Sequence, residues 1–166
     1  MSKAASLTAT GPRLGAVIVA LFKLRIVALL LLAALAGAFL AAGGRPGWRD
    51  LLVLILTGAA AAAGASALNE YFERERDAQM RRTASRRPLT PGAIGNPRVA
   101  LSAGLVLVAV AMLAALLFNP VLAFFLFAGA FIYAGIYTLG LKPRTPLNIV
   151  IGGLAGSCAV LSGSAA

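Results

Sequence analysis

Five long apolar runs, parted by short polar stretches, constrain this chain more than anything else in it. A run of about 17 to 25 apolar residues is long enough to cross a bilayer as a helix. Such runs occupy Leu24 to Ala42, Leu51 to Leu68, Val99 to Phe118 and Val121 to Leu141, and another begins at Leu147 and continues to Ala166. With 60% hydrophobic and only 12% charged residues, the composition excludes an ordinary soluble domain. The expected fold class is all-α, a polytopic transmembrane helical bundle with four complete spans and the start of a fifth.

The connections set the topology. Asn119 and Pro120 separate the third and fourth runs so briefly that those helices form a tight hairpin, whereas Gly43 to Asp50 makes a longer turn after the first run. The polar segment after the second run is the one sizeable loop. Counted on alternate sides, thirteen of the fifteen Lys and Arg fall on the amino terminus, the Arg74 to Arg98 segment and the Lys142 to Arg144 turn, against Arg45 and Arg49 opposite. The positive-inside rule makes the first group cytoplasmic. The net charge of +10 is thus a topological bias, so the lipid bilayer and no nucleic acid is the expected partner. Lys23 and Arg25 interrupt the place where a signal peptide's apolar core would start, and the run from Ile26 to Ala42 exceeds the 7 to 15 residues typical of one, so the first span is read as retained. The single Cys158 and the absence of His exclude an internal disulfide, thiolate or imidazole metal sites and His-based triads. Cys158 reads as a small packing residue. The Ala59 to Ala63 run with Gly58 and Gly64, and the Gly152/Gly156 pair, predict close helix packing.

The chemistry concentrates in Asn69 to Leu89, NEYFERERDAQMRRTASRRPL, which holds four of the five acids and six of the fifteen basic residues. No helix breaker intervenes between Leu51 and Arg82, so the second helix should run past the bilayer core. Asn69, Glu73 and Asp77 then recur every four residues near one face, roughly 6 Å per step. Hard oxygen ligands so spaced suit Mg²⁺, which takes one or two carboxylates together with substrate phosphates and water. Arg81, Arg82, Arg86 and Arg87 follow as bidentate phosphate donors. The plainer alternative is a solvated helix end with Glu70–Arg74 and Asp77–Arg81 pairs at four-residue spacing. It leaves Asn69 and the register unexplained.

A second polar group, Tyr137, Lys142, Arg144, Thr145 and Asn148 in YTLGLKPRTPLNIVIGG, lies at the next turn on the same side. Alone it is equally well read as positive-inside anchoring with Pro143 and Pro146 shaping a turn. Paired with the ladder, it forms the opposite wall of an anionic-substrate site whose apolar tail lies among the helices.

These motifs resemble the UbiA superfamily of intramembrane prenyltransferases, whose first signature is N-x-x-x-D-x-x-x-D followed by arginines; here it stands as Asn69, Glu73, Asp77. The finer resemblance is to the protoheme IX farnesyltransferase (heme O synthase) branch, through Asp77, Met80, Arg82, Thr83, Arg86 or Arg87, Pro88 and Leu89, then Tyr137-Thr138, Leu141-Lys142, Arg144-Thr145 and Asn148-Ile-Val-Ile-Gly-Gly. Lys23 and Arg25 stand where that branch has a basic pair opening its first span. The resemblance implies a UbiA-type fold in one transmembrane domain over 1–166, a Mg²⁺ cofactor, and transfer of farnesyl from farnesyl diphosphate to heme b. In that picture Asn69, Glu73 and Asp77 hold the diphosphate through Mg²⁺, and Arg81, Arg82, Arg86, Arg87, Lys142 and Arg144 neutralise it. Tyr137 and Asn148 orient the diphosphate or the developing cation. It further implies a bacterial inner membrane location and association with heme-copper oxidase assembly or heme A synthase.

The chain departs from the family pattern in three places. Glu73 replaces the usual Asp; LAGSCAVLSGSAA follows the paired glycines where many members of the branch carry Pro-Pro; and no Asp follows Asp77, whereas the family has nine spans and a second Asp-rich motif. The expectation is of an amino-terminal portion, truncated at the carboxyl end. Phosphatidyl-group transfer is disfavoured because neither Asp50 nor Asp77 precedes Gly. A quinone or chlorophyll prenyltransferase and a non-catalytic membrane scaffold stay open as alternatives.

Overall fold

A computed structural model describes residues 14–81, 83, 87–89 and 94–166. Every element among them is helical: α1 (Leu14–Leu21), α2 (Leu24–Ala41), α3 (Trp48–Gln79), α4 (Pro97–Phe118), α5 (Pro120–Phe131), which continues as a π-helical segment (Ile132–Leu141), and α6 (Asn148–Ala165). In hydrocarbon each backbone N–H and C=O needs a partner within its own segment, which is why continuous apolar runs settle as helices. Five of these helices, counting α5 with its π continuation as one, are long and apolar enough to cross a membrane. The chain is an integral, multi-pass membrane protein. Leu29, Leu117 and Ile149 are among many large apolar side chains on its outer surface, where acyl chains rather than water are the solvent.

Length places the polar residues. At 1.5 Å per residue the 32 residues of α3 extend about 48 Å, against about 30 Å of hydrocarbon, so the last turns project beyond the apolar layer. The helix stops at Gln79, three residues short of Arg82. There the Thr83 hydroxyl donates to the carbonyls of Asp77 at 2.7 Å and Met80 at 3.3 Å, satisfying groups that the helix end leaves open. The expected hairpin is present. Asn119 sits alone between α4 and α5, and its side-chain oxygen accepts from the backbone N–H of Val121 at 2.8 Å, with Pro120 at the first helical position.

Close packing falls partly where the glycines predict. The extensive α3–α4 contact is made by Gly64 against Gly104: a Cβ on Gly64 would stand 2.8 Å from the Gly104 carbonyl oxygen. The α2–α6 contact is made by Gly37, seated on the Val160 carbonyl, and Gly163, seated on the Ala34 carbonyl. Gly152 faces the ring of Tyr137, but Gly156 meets nothing within 4 Å and lines a cavity, so the close-packing expectation fails there. The reason is positional: the nearest approach of α6 to α2 comes near its other end, at Gly163. Cys158 is buried and free, as expected of a packing residue.

Ahead of the first span the sequence reading misses a break. Lys23 adopts φ 48°, ψ 49°, the left-handed region, and so ends α1 and turns the chain into α2. Leu21, just before the break, is buried with Ala67, Leu89 and Ala100, and Phe22, Tyr71 and Ile94 pack around them. This small core pins the loop segment at Leu89 against α3.

Candidate functional site

The projecting end of α3 is polar yet shielded. Asn69 and Glu70 are each 1% exposed, Glu73 3% and Asp77 5%. Charged groups so placed require partners, because a buried unpaired carboxylate is prohibitively costly. The structure supplies them from three directions. Lys23, at the α1–α2 break, donates to Asn69 Oδ1 and to the Tyr133 hydroxyl at 3.2 Å, and pairs with Glu70 Oε1 at 3.3 Å. Arg87, from the loop, pairs with Glu70 Oε1 and, through Nε, with Asp77 Oδ2 at 3.4 Å. Lys142, just beyond the π-helical segment, pairs with Glu73. The two polar segments that the sequence places on one side of the membrane therefore converge on one helix face.

The π-helical segment aims the rest of the wall. Its wider turn bonds Lys142 N–H to the Tyr137 carbonyl at 2.9 Å, five residues back, and such turns recur at functional sites. Tyr133 and Tyr137 stack with centroids 5.8 Å apart and planes at 9°, and the Lys142 ammonium lies 5.6 Å from the Tyr137 ring centroid. Thr138, 2% exposed, donates to the Tyr133 carbonyl at 2.7 Å and accepts from Asn69 Nδ2 at 3.0 Å. Both ends of the Asn69 amide are thus engaged.

Several expectations are corrected. Glu70 does not pair with Arg74, nor is Asp77's partner Arg81: Glu70 takes Lys23 and Arg87, Asp77 takes Arg87, and Arg74 pairs with Glu75 at 2.7 Å. A solvated helix end with local pairs is therefore not what forms, because burial makes the acids seek cations from other elements. Arg81 and Arg144 are exposed, and Arg144 donates to the Gly140 carbonyl at 3.4 Å. Asn148 is the first residue of α6, half-buried. None of the contacts described for Asn148 ties its side chain to the ladder. Arg82 and Arg86 lie outside the described residues. Glu70, Lys23, Tyr133 and Thr138 join the site although the sequence motifs do not mark them as site residues. One signal was available: Glu70, Glu73 and Asp77 stand at i, i+3 and i+7, a tighter helical stripe than the four-residue ladder.

Electrostatically the cluster is balanced. Burial lowers the pKa of Lys23 from the usual 10.5, and the neighbouring Glu70 carboxylate opposes that shift. One oxygen on each acid accepts no hydrogen bond among the described residues: Glu70 Oε2, Glu73 Oε2 and Asp77 Oδ2, the last with only the 3.4 Å Arg87 ion pair. Orphaned buried oxygens of this kind fit a divalent cation. No three acidic or cysteine side chains among the described residues converge on one point, so such an ion would need further oxygens from a ligand, as Mg²⁺ commonly does.

Behind the cluster, toward the bilayer, lies an apolar cavity of about 230 Å³. Its walls come from α2, α3, α5 and α6, including Leu30, Ala62, Phe125, Gly156 and Ala159. Tyr133 lines it and also touches Lys23, so the cavity ends at the charged cluster.

A membrane-embedded helical bundle whose apolar cavity ends at buried carboxylates and cations is the class these features define. Residues 30–166 match the model of the UbiA prenyltransferase family, and the chain belongs to that family. It is 44% identical over 145 residues to a protoheme IX farnesyltransferase of Metallosphaera sedula, covering 87% of this chain and 50% of that protein. It is 42% identical over 149 residues to protoheme IX farnesyltransferase 2 of Paramagnetospirillum magneticum, covering 90% and 52%. The chain spans about half the length of the curated relatives it matches. Among solved structures, a UbiA homolog from Archaeoglobus fulgidus bound to DMAPP and Mg²⁺ shares the fold, with a TM-score of 0.74 over 89% of this chain and 53% of that one, at 20% identity.

Proposed function

We propose that this chain carries the prenyl-donor side of an intramembrane, Mg²⁺-dependent farnesyltransferase that converts heme b to heme O. The observation that supports it best is the juxtaposition of three buried acids, each with a cationic neighbour and an oxygen that accepts no hydrogen bond among the described residues, with an apolar cavity. A prenyl diphosphate has that same division, an anionic head on an apolar tail. Glu73 and Asp77 hold the cation, with Asn69 ordered beside them by Lys23 and Thr138. Mg²⁺, when bound, supplies charge neutralisation of the diphosphate as it departs. Lys142, Arg87 and Arg144 add to that from the protein, stabilising charge that grows as the allylic C–O bond breaks. The isoprenoid lies in the cavity, and the Tyr133/Tyr137 faces stand where its reactive end would emerge. The acceptor vinyl carbon of heme b then forms the new C–C bond, and water supplies the hydroxyl.

The branch assignment draws support from the relatives' names, and a cluster facing the cytoplasm from the basic bias. Partnership with heme-copper oxidase assembly or heme A synthase follows from the product. The test is formation of heme O from heme b and farnesyl diphosphate by the complete natural protein in lipid, followed by chromatography and mass. Asp77→Asn is expected to lower turnover about 10²- to 10³-fold, the scale of losing one preorganised electrostatic group. Full activity in that variant, or wild-type transfer to a quinone instead of heme, would overturn the assignment.

A further inference from the structure

We propose that Glu70 is a specificity-determining residue: it makes the site reject an anion that arrives alone and accept the same anion together with a divalent cation. The inference rests on the diphosphate reading above. Among the described residues, three cations (Lys23, Arg87, Lys142) pair with three acids (Glu70, Glu73, Asp77) at this end of α3, and these six charges cancel. Within that balance Glu70 differs from the other two acids. It stands outside the four-residue ladder, is 1% exposed, and holds two cations on one oxygen, from the α1–α2 break and from the loop.

The donors that Glu70 engages are those that phosphate oxygens would use. An incoming anion must draw Lys23 and Arg87 off a carboxylate with almost no access to water, leaving that charge uncompensated. A divalent cation held beside Glu70 by Glu73 and Asp77 removes the obstacle by compensating the Glu70 carboxylate, whose Oε2 accepts no hydrogen bond among the described residues, which releases the two cations to the anion. Cation and anion therefore enter as a pair. Free phosphate, sulfate and uncomplexed nucleotides are excluded by the same penalty. Neutralising Glu70 alone leaves these six side chains with an excess positive charge and removes the carboxylate that an incoming anion must displace from Lys23 and Arg87.

The experiment measures inorganic pyrophosphate binding to the complete natural protein in nanodiscs by calorimetry, with saturating magnesium and with EDTA. Wild type is expected to bind with magnesium and at least about tenfold more weakly in EDTA. Glu70→Gln is expected to bind pyrophosphate in EDTA on the order of tenfold or more tightly than wild type does, the effect of removing one nearby charge at protein dielectric. Glu70→Asp keeps the charge but withdraws it from both cations, and it is the variant to read if the Gln protein does not fold; its gain in EDTA is smaller but present. No gain in the folded variant overturns the inference, and so does wild-type binding that is equally tight with and without magnesium, although either leaves the diphosphate reading standing. Wild-type binding under neither condition sinks both.

Discussion

At the scale of single residues, the site is governed by what burial demands of charge. Arg87 is the clearest instance, since its guanidinium reaches Glu70 through one nitrogen and Asp77 through another. A planar fork with several donors can bridge acids a helical stripe apart, whereas an ammonium is a single point charge. Arg87→Ala is therefore expected to destabilise the protein by about 3 kcal/mol, toward the low end for a broken buried pair, because the side chain is 25% exposed. Arg87→Lys should recover only part of that. Thermal midpoints in detergent measure both, and equal midpoints for the Ala variant and wild type would remove Arg87 from the network. The sequence made Asn69, Glu73 and Asp77 visible because their spacing matches a helical repeat. Glu70 stayed hidden because its nearest opposite charge along the helix, Arg74, offered a local explanation that burial overrides. Lys23 is 46 residues from Asn69, a separation that no helical periodicity encodes.

At the scale of elements, continuous apolar runs and Asn-Pro punctuation were enough to locate the spans and the α4–α5 hairpin. The left-handed break at Lys23 and the π-helical widening from Ile132 to Leu141 were not legible, since both depend on tertiary partners: Asn69, Glu70 and Tyr133 for Lys23, and Glu73 for Lys142. Small residues were legible as packing residues but not as pairs. In lipid there is no hydrophobic gain from joining helices, so close backbone approach and dispersion carry the association. Gly64→Ala should consequently force α3 and α4 apart, placing a methyl 2.8 Å from both the Gly104 carbonyl oxygen and Val108 Cγ2, at a cost of about 1–3 kcal/mol. Gly156→Ala, which meets nothing within 4 Å, should move stability by less than about 0.5 kcal/mol. Unfolding midpoints of the two variants side by side decide the point, and a larger loss at Gly156 would contradict the packing described.

At the scale of the whole molecule, the bundle separates two jobs along the membrane normal. The Arg45 and Arg49 end closes α2 onto α3 with a short turn, while the opposite end gathers Lys23, the end of α3, the Arg87 loop and Lys142. Charge counting alone assigns that second end to the cytoplasm, where an anionic diphosphate and its divalent cation are available. The assignment is open to direct measurement, because the sequence has one cysteine, buried Cys158. In a Cys158→Ser background, a cysteine replacing exposed Arg49 should react with a membrane-impermeant maleimide added to intact bacterial spheroplasts. A cysteine replacing exposed Arg81 should react only after the membrane is opened. Both positions border an end of α3, the helix that crosses between them, so opposite labelling is required of any single-pass α3. The reverse pattern would put the acid cluster outside, where the proposed donor is absent, and would overturn the orientation together with the use of a cytoplasmic prenyl diphosphate.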